Sequence, residues 1–271
     1  MPRHSVRRVG GTIRKTFRKK KYFDIEKDIL ETLYPHPYIT EIVNSYETDV
    51  PSYNGHITLP DYGMCDLYNW VEAYEGQTSL QTTYTIIKKV VIALHYASLF
   101  NIYHRDIKLE NIMVDETGVV KLIDWELCTK ERYSREKVGT LGYMAPEVME
   151  GNRYNCTKAD MWSLGVSMFA LYYGKRPYDD VPEVARYSTS KRWYCRWLKL
   201  IEGNHWSAFW YNHDKHSPRK AHPEFKNCIE GLLCYDPEHR TSLEELMECD
   251  LLNKPLLSRE NLKEKALMTR I

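Results

Sequence analysis

Asp106, Lys108 and Asn111 lie within Tyr103-His-Arg-Asp-Ile-Lys-Leu-Glu-Asn-Ile112, and Asp124 follows in Leu122-Ile-Asp124. These side-chain types suit phosphoryl transfer. That reaction asks little covalent chemistry of a protein but needs a positioned acceptor hydroxyl, divalent metal among phosphates and fixed positive charge. Asp106 offers a carboxylate to orient the hydroxyl and take its proton. Asn111 and Asp124 are hard oxygen donors suited to Mg²⁺ (or Mn²⁺). Lys108 adds a cation beside the transferring group.

Several elements must hold these groups. The short runs 111–114 and 119–123 flank Asp115-Glu-Thr-Gly118, which predicts a hairpin carrying both metal donors on adjacent strands. Leu80, Tyr84, Ile87, Val91 and Leu94 recur at helical spacing and predict an amphipathic helix over 79–99. Residues 160–172 are apolar nearly all round, the pattern of a helix buried on every side. In the first third, 12–17 alternate as a strand with Ile13, Lys15 and Phe17 on one face. A charged stretch, 18–21, leads into a helical stripe of Phe23, Ile25, Ile29, Leu30 and Leu33 over 23–33. Two β-rich segments, 40–47 and 56–60, are separated by a loop containing Asn54-Gly55. A small β-rich lobe (1–62) followed by a larger helical one (63–271) predicts one α+β domain with a cleft near residue 63.

The chain has 271 residues, 43% hydrophobic and 28% charged, enough to bury a sizeable core and unlike a disordered or collagen-like sequence. Its net charge of +1 gives no reason to expect a nucleic-acid partner. The distribution is uneven: residues 1–21 hold nine Lys/Arg and no acid, leaving 29 cations against 37 acids, or −8, elsewhere. Seven cysteines without a C-x-x-C pair read as reduced thiols of an intracellular protein, cytoplasmic or nuclear. The longest apolar run in the most hydrophobic helix candidate, Val90–Leu94, falls far short of the roughly 20 residues of a membrane span. RKTFRKKK (14–21) is of nuclear-import or nucleic-acid-binding type but overlaps the predicted strand and its exit. The aromatic-rich segment Trp193–Trp210 reads as core, with a docking surface as the alternative. Residues 254–271 read as a short helix or frayed tail. His95, His205, His213, His216 and His222 show no metal spacing.

His104-Arg-Asp106-x-Lys108-x-x-Asn111 resembles the catalytic loop of eukaryotic-type protein kinases at every signature position. Gly139-Thr-Leu-Gly-Tyr-Met-Ala-Pro-Glu147 resembles that family's substrate-side loop, and Asp160-Met-Trp-Ser-Leu-Gly165 its following buried helix. Arg240 is similar to the Arg that pairs with Glu147. Lys108 and Thr140 resemble the serine/threonine branch, where the Thr hydroxyl bridges the catalytic Asp and Lys. The resemblance implies a two-lobed fold, ATP with a divalent metal, and a protein substrate with Ser or Thr acceptors. It makes Glu26 the helix acid and a strand Lys its partner. Lys15 is the choice and Arg14 the rival if the register slips by one. It places Leu59 at the rear of the adenine site, with the Pro60 carbonyl and the Tyr62 N–H facing the ring. Asp66 is either a ribose acceptor or an N-cap. The abbreviated form and LPDYG hinge resemble kinases of large DNA viruses.

Two departures stand out. No G-x-G-x-x-G precedes Lys15, only Gly10-Gly11, and 14 residues are too few for two full strands and a phosphate-covering loop. Arg14–Lys21, with Arg7 and Arg8, are the cations expected to compensate. Second, Asp124-Trp125-Glu126 replaces Asp-Phe-Gly, so a side chain at 126 should either favour one loop conformation or point to solvent. In the segment from Asp124 to Glu147, Glu136 is expected to pair with Arg105 in place of a phosphate, with Ser134 as the competing phosphosite. The rival from another class is a pseudokinase, a binding scaffold without turnover.

Overall fold

The computed structural model describes residues 3–48, 53–73, 78–115, 117–178, 197–217, 219–220 and 222–249. An antiparallel sheet ordered β1-β2-β4-β3 forms the amino-terminal part, from β1 (His4–Val9), β2 (Thr12–Phe17), β3 (Asn44–Glu47) and β4 (Gly55–Pro60). Gly10 and Gly11 join β1 to β2 with φ of 55° and 76°. A two-residue hairpin turn with both φ values positive favours glycine at each place. These glycines therefore close a tight turn and form no phosphate cradle. The sequence reading marks no strand before residue 12, because Arg7 and Arg8 interrupt the alternation of Val6 and Val9.

Helix α1 (Lys20–Leu33) packs on this sheet through Phe23, Ile29, Leu30 and Leu33, all buried. It begins at Lys20, not at 23, so part of the charged stretch forms its exposed first turn. Gly55 permits the contact. A Cβ there would lie 2.6 Å from the Phe23 ring. Gly55→Ala should therefore cost about 1–3 kcal/mol of overpacking, read as a lower melting temperature.

The remainder is mainly helical. After β5 (Cys65–Asp66) and α2 (Leu67–Ala73) comes α3 (Leu80–Ser98), started by Ser79, whose Oγ accepts from the Thr82 amide at 3.0 Å. β6 (Ile112–Val114) and β7 (Val120–Leu122) make the expected hairpin, with Asp115 Oδ1 accepting from the Thr117 and Val119 amides. The hairpin does not itself carry the two metal donors. Asn111 closes a 3₁₀ turn just before β6, and Asp124 lies two residues past β7. β8 (Tyr133–Ser134) pairs with β9 (Tyr154–Asn155), fastening the loop after Asp124 to the start of α5 (Cys156–Tyr173). Fifteen residues of α5 are buried, as a helix apolar nearly all round requires, and Asp160 is buried among them. Helix α4 (Pro146–Glu150) and helices Trp206–His216, Pro223–Leu232 and Leu243–Glu248 complete the described part. Trp197, Trp206, Phe209 and Trp210 are core residues. Trp193, Cys195 and 254–271 lie outside the described residues. Among the described residues, no helix is long and apolar enough to cross a membrane.

Candidate active site

Three groups of side chains meet where the sheet faces the helical part. In the first, Asp106 Oδ1 accepts from the Thr140 hydroxyl at 2.7 Å, and that hydroxyl accepts from Lys108 Nζ at 2.7 Å. Lys108 also stands 3.1 Å from Asp106 Oδ2. Asn111 donates through Nδ2 to the Asp106 backbone oxygen at 2.8 Å and to Oδ2 at 3.3 Å. Asp160 anchors the loop from below, accepting from the His104 and Arg105 amides at 2.8 Å each. Burial pushes the Asp160 carboxyl up to about 7, and those two amides pull against it. The buried His104 ring accepts from the Asp106 amide at Nδ1 and donates from Nε2 to the Ile123 carbonyl, the pattern of a neutral imidazole. Burial lowers its pKa accordingly.

The second group centres on Lys15, 4% exposed, whose Nζ lies 2.5 Å from Glu26 and 2.6 Å from Asp124. Arg14 is opposite Arg7 and Thr58, on the other face of β2, so the register selects Lys15. Burial alone would lower the Lys15 pKa. Glu26, Asp124 and Glu126 more than offset it and hold the ammonium above its ordinary value. Burial opposes the Asp124 carboxylate too, but Lys15 outweighs it and keeps that group below the usual range. Asn111 and Asp124 suit a divalent cation. The Asn111 amide nitrogen is occupied by Asp106, leaving its oxygen as donor, and both atoms are hard ligands.

Glu126 decides between the two expectations at its position. It is 2% exposed and does not point to solvent. Its carboxylate meets His4 Nδ1 at 2.6 Å, Lys15 Nζ at 3.4 Å and Arg3 Nη1 at 3.5 Å. Two strands of the sheet therefore grip the loop below them. Burial raises the Glu126 pKa, but the hydrogen bond from His4 and the charge of Lys15 bring it below its ordinary value. Donor atoms of His4, Asp124 and Glu126 lie within 4.8 Å of one another. The Lys15 ammonium touches both carboxylates, so a metal ion bound by all three would have to displace it.

Several of the cations expected to compensate for a Gly-rich loop are placed or paired elsewhere. Arg7 is exposed on the far face, and Arg8 pairs with Asp61 at 3.1 Å. Lys20 pairs with Asp24 and Glu47, and Lys21 approaches Glu136. Besides Lys15, the basic residues of the sheet that reach the site are Arg3 and His4. They and Val6 were missed because β1 was missed; the Gly-Gly pair before an alternating segment was the available signal. Val6 is opposite Lys15 and shares its face with Ile13 and Leu59, yet stays 54% exposed. Leu59 is buried, Pro60 ends β4, and Tyr62 lies half-buried with Lys121 Nζ 5.1 Å from its ring centre. Asp66 caps the helix that follows it, its two oxygens accepting from the Asn69 amide at 2.9 Å and from Asn69 Nδ2 at 2.6 Å.

In the third group, Arg105 donates to Glu136 at 3.0 Å and to the Ser134 hydroxyl at 3.2 Å. The Arg105 hydrogen bond holds the Glu136 pKa below its ordinary value. Arg240, fully buried, forms a two-pronged pair with Glu147 at 2.6 and 3.0 Å.

The sequence profile of the protein kinase domain matches residues 12–252. The chain belongs to the protein kinase domain family. This kinase domain is 33% identical over 151 residues to developmentally-regulated protein kinase 1 of Dictyostelium discoideum, covering 55% of the chain and 21% of that protein. It is 28% identical over 219 residues to CBL-interacting serine/threonine-protein kinase 13 of Arabidopsis thaliana, covering 79% and 39%. With the human SNF-related serine/threonine-protein kinase it shares 27% identity over 248 residues, covering 86% and 29%. The alignments thus span about one- to two-fifths of these relatives' lengths. None of the three is viral, and the likeness to viral kinases finds no support in them.

Proposed function

We propose that this kinase domain transfers the γ-phosphoryl group of ATP to Ser or Thr hydroxyls of a protein. The observation that carries this reading is the continuous contact from Glu26 through Lys15 to Asp124. It is supported by Asp106 and Lys108 sharing the Thr140 hydroxyl.

Asp106 takes the acceptor's proton as that oxygen bonds to γ-phosphorus, and the β,γ-bridging oxygen leaves with the electron pair on ADP. Lys108 faces the transferring group, while Thr140 fixes the distance between Lys108 and Asp106. Lys15, steadied by Glu26, holds phosphate oxygens. A divalent cation, held by Asp124 and the Asn111 oxygen, would supply neutralising charge between the phosphates. Val6 and Ile13 roof the adenine, Leu59 stands at its rear, and Pro60 and Tyr62 present the carbonyl and N–H. Only the carbonyl of residue 60 is used, as an acceptor, so the missing N–H of Pro60 costs nothing.

The test is transfer of label from radiolabelled ATP to a generic basic protein with Mg²⁺ or Mn²⁺. Label transfer by the wild type, cut by about 10²–10⁴ in Asp106→Asn, is the expected result. Binding of MgATP in a thermal-shift experiment without transfer would favour the pseudokinase scaffold.

The regulatory reading follows from Glu136, whose carboxylate meets Arg105 and Lys21 as a phosphate would. The unphosphorylated protein should be active. Glu136→Gln should lower basal activity about three- to fivefold, the scale of a partly exposed pair worth up to about 1 kcal/mol. An inert unphosphorylated protein that Ser134 phosphorylation switches on would refute this.

A further inference from the structure

We propose that Arg3 binds the nucleotide's phosphates through its guanidinium; this rests on the ATP-dependent reading above. β1 begins at His4, opposite Phe17, two residues beyond the Val6–Lys15 pair. Residue 3 is therefore carried to the end of the site where Lys15 meets Asp124. Its backbone is fixed, since the Arg3 carbonyl accepts from the Arg18 amide at 3.0 Å. The guanidinium lies 5.5 Å from the centre of the Tyr22 ring and reaches Glu126 only at 3.5 Å, the outer limit of a hydrogen bond.

Glu126 does not depend on that contact. His4 at 2.6 Å and Lys15 at 3.4 Å already compensate it. Among the described residues, the guanidinium has no other polar partner, and the side chain is 40% exposed. An arginine so placed keeps most of its five N–H donors, in the planar fork that matches phosphate oxygens. It stands one carboxylate away from Lys15, the residue that holds the phosphates in the reading above. Arg8, Lys20 and Lys21 have carboxylate partners of their own.

The experiment is calorimetric titration of the full chain with ATP, ADP, AMP and adenosine in Mg²⁺. Arg3→Ala should weaken ATP and ADP about tenfold, the scale of charge-assisted hydrogen bonding to phosphate. It should leave AMP and adenosine unchanged, as should Arg7→Ala for all four. Arg3→Lys should recover part of the loss. Arg3→Ala made in a Glu126→Gln background should still cost about tenfold, because the contact is with the nucleotide and not with Glu126. Equal losses for ATP and adenosine, no loss at all, or a loss that vanishes in the Glu126→Gln background would overturn the proposal while leaving the kinase reading intact. A wild type that binds none of the four would overturn both.

Discussion

Lys15→Met is expected to lower the melting temperature by roughly 10 °C and to abolish measurable ATP binding. Lys15 is the ammonium shared by Glu26, Asp124 and Glu126, of which Glu26 is fully buried. Methionine keeps the volume and removes the charge, stranding carboxylates away from water. Breaking a buried pair in this way costs about 3–5 kcal/mol, and a domain of this size loses about 2–4 °C for each. The loss should depend on pH in a stated direction. Burial already raises Glu26 above its ordinary 4.5, and removing Lys15 raises it further. The folded variant then holds a proton that its unfolded chain releases, so its stability falls as pH rises beyond 4.5. Thermal melts of both proteins across pH 5 to about 8 read this directly. A pH-independent difference would show that Glu26 stays ionised without its partner. Lys15→Arg should keep much of the stability, since it preserves the charge.

Asp106→Asn should reduce kcat by about 10²–10⁴, the range that a positioned general base supplies. The fold should tolerate the change. The Thr140 hydroxyl can turn to accept from the new amide, and the remaining oxygen can still accept from Asn111. Affinity for MgATP should stay within about twofold, because Asp106 is not among the metal donors. A variant that transfers label at the wild-type rate would remove Asp106 from the chemistry. One that loses nucleotide affinity in step with kcat would give it a binding role instead.

Much of the lower site was legible because its residues are neighbours in the chain. Asp106, Lys108 and Asn111 lie within one short loop, and a single hairpin brings Asp124 back to them. Their side-chain types state the chemistry, and spacing alone brings them together. Lys15 was legible through strand alternation, with Phe17 as its buried companion on the same face. What could not be read depended on distant partners. Glu126 lies 122 positions from His4, and nothing near either residue announces that they touch. The same separation hid Arg3, whereas Arg7 lies on the far face of the sheet and Arg8, opposite Ile13 on the near face, is held by Asp61. Asp66 shows a third kind of difficulty. A carboxylate before a helix is suited both to capping and to a sugar hydroxyl, and only the position of Asn69 shows the capping.

The carboxylate of Glu126 fastens roof to floor across the cleft. Whenever the cleft opens to release spent nucleotide, His4 and Lys15 must break from it. Departure of ADP, not bond-making, should then pace the cycle. Added viscogen should slow kcat in the wild type, whereas Glu126→Gly should turn over faster and respond to viscogen less.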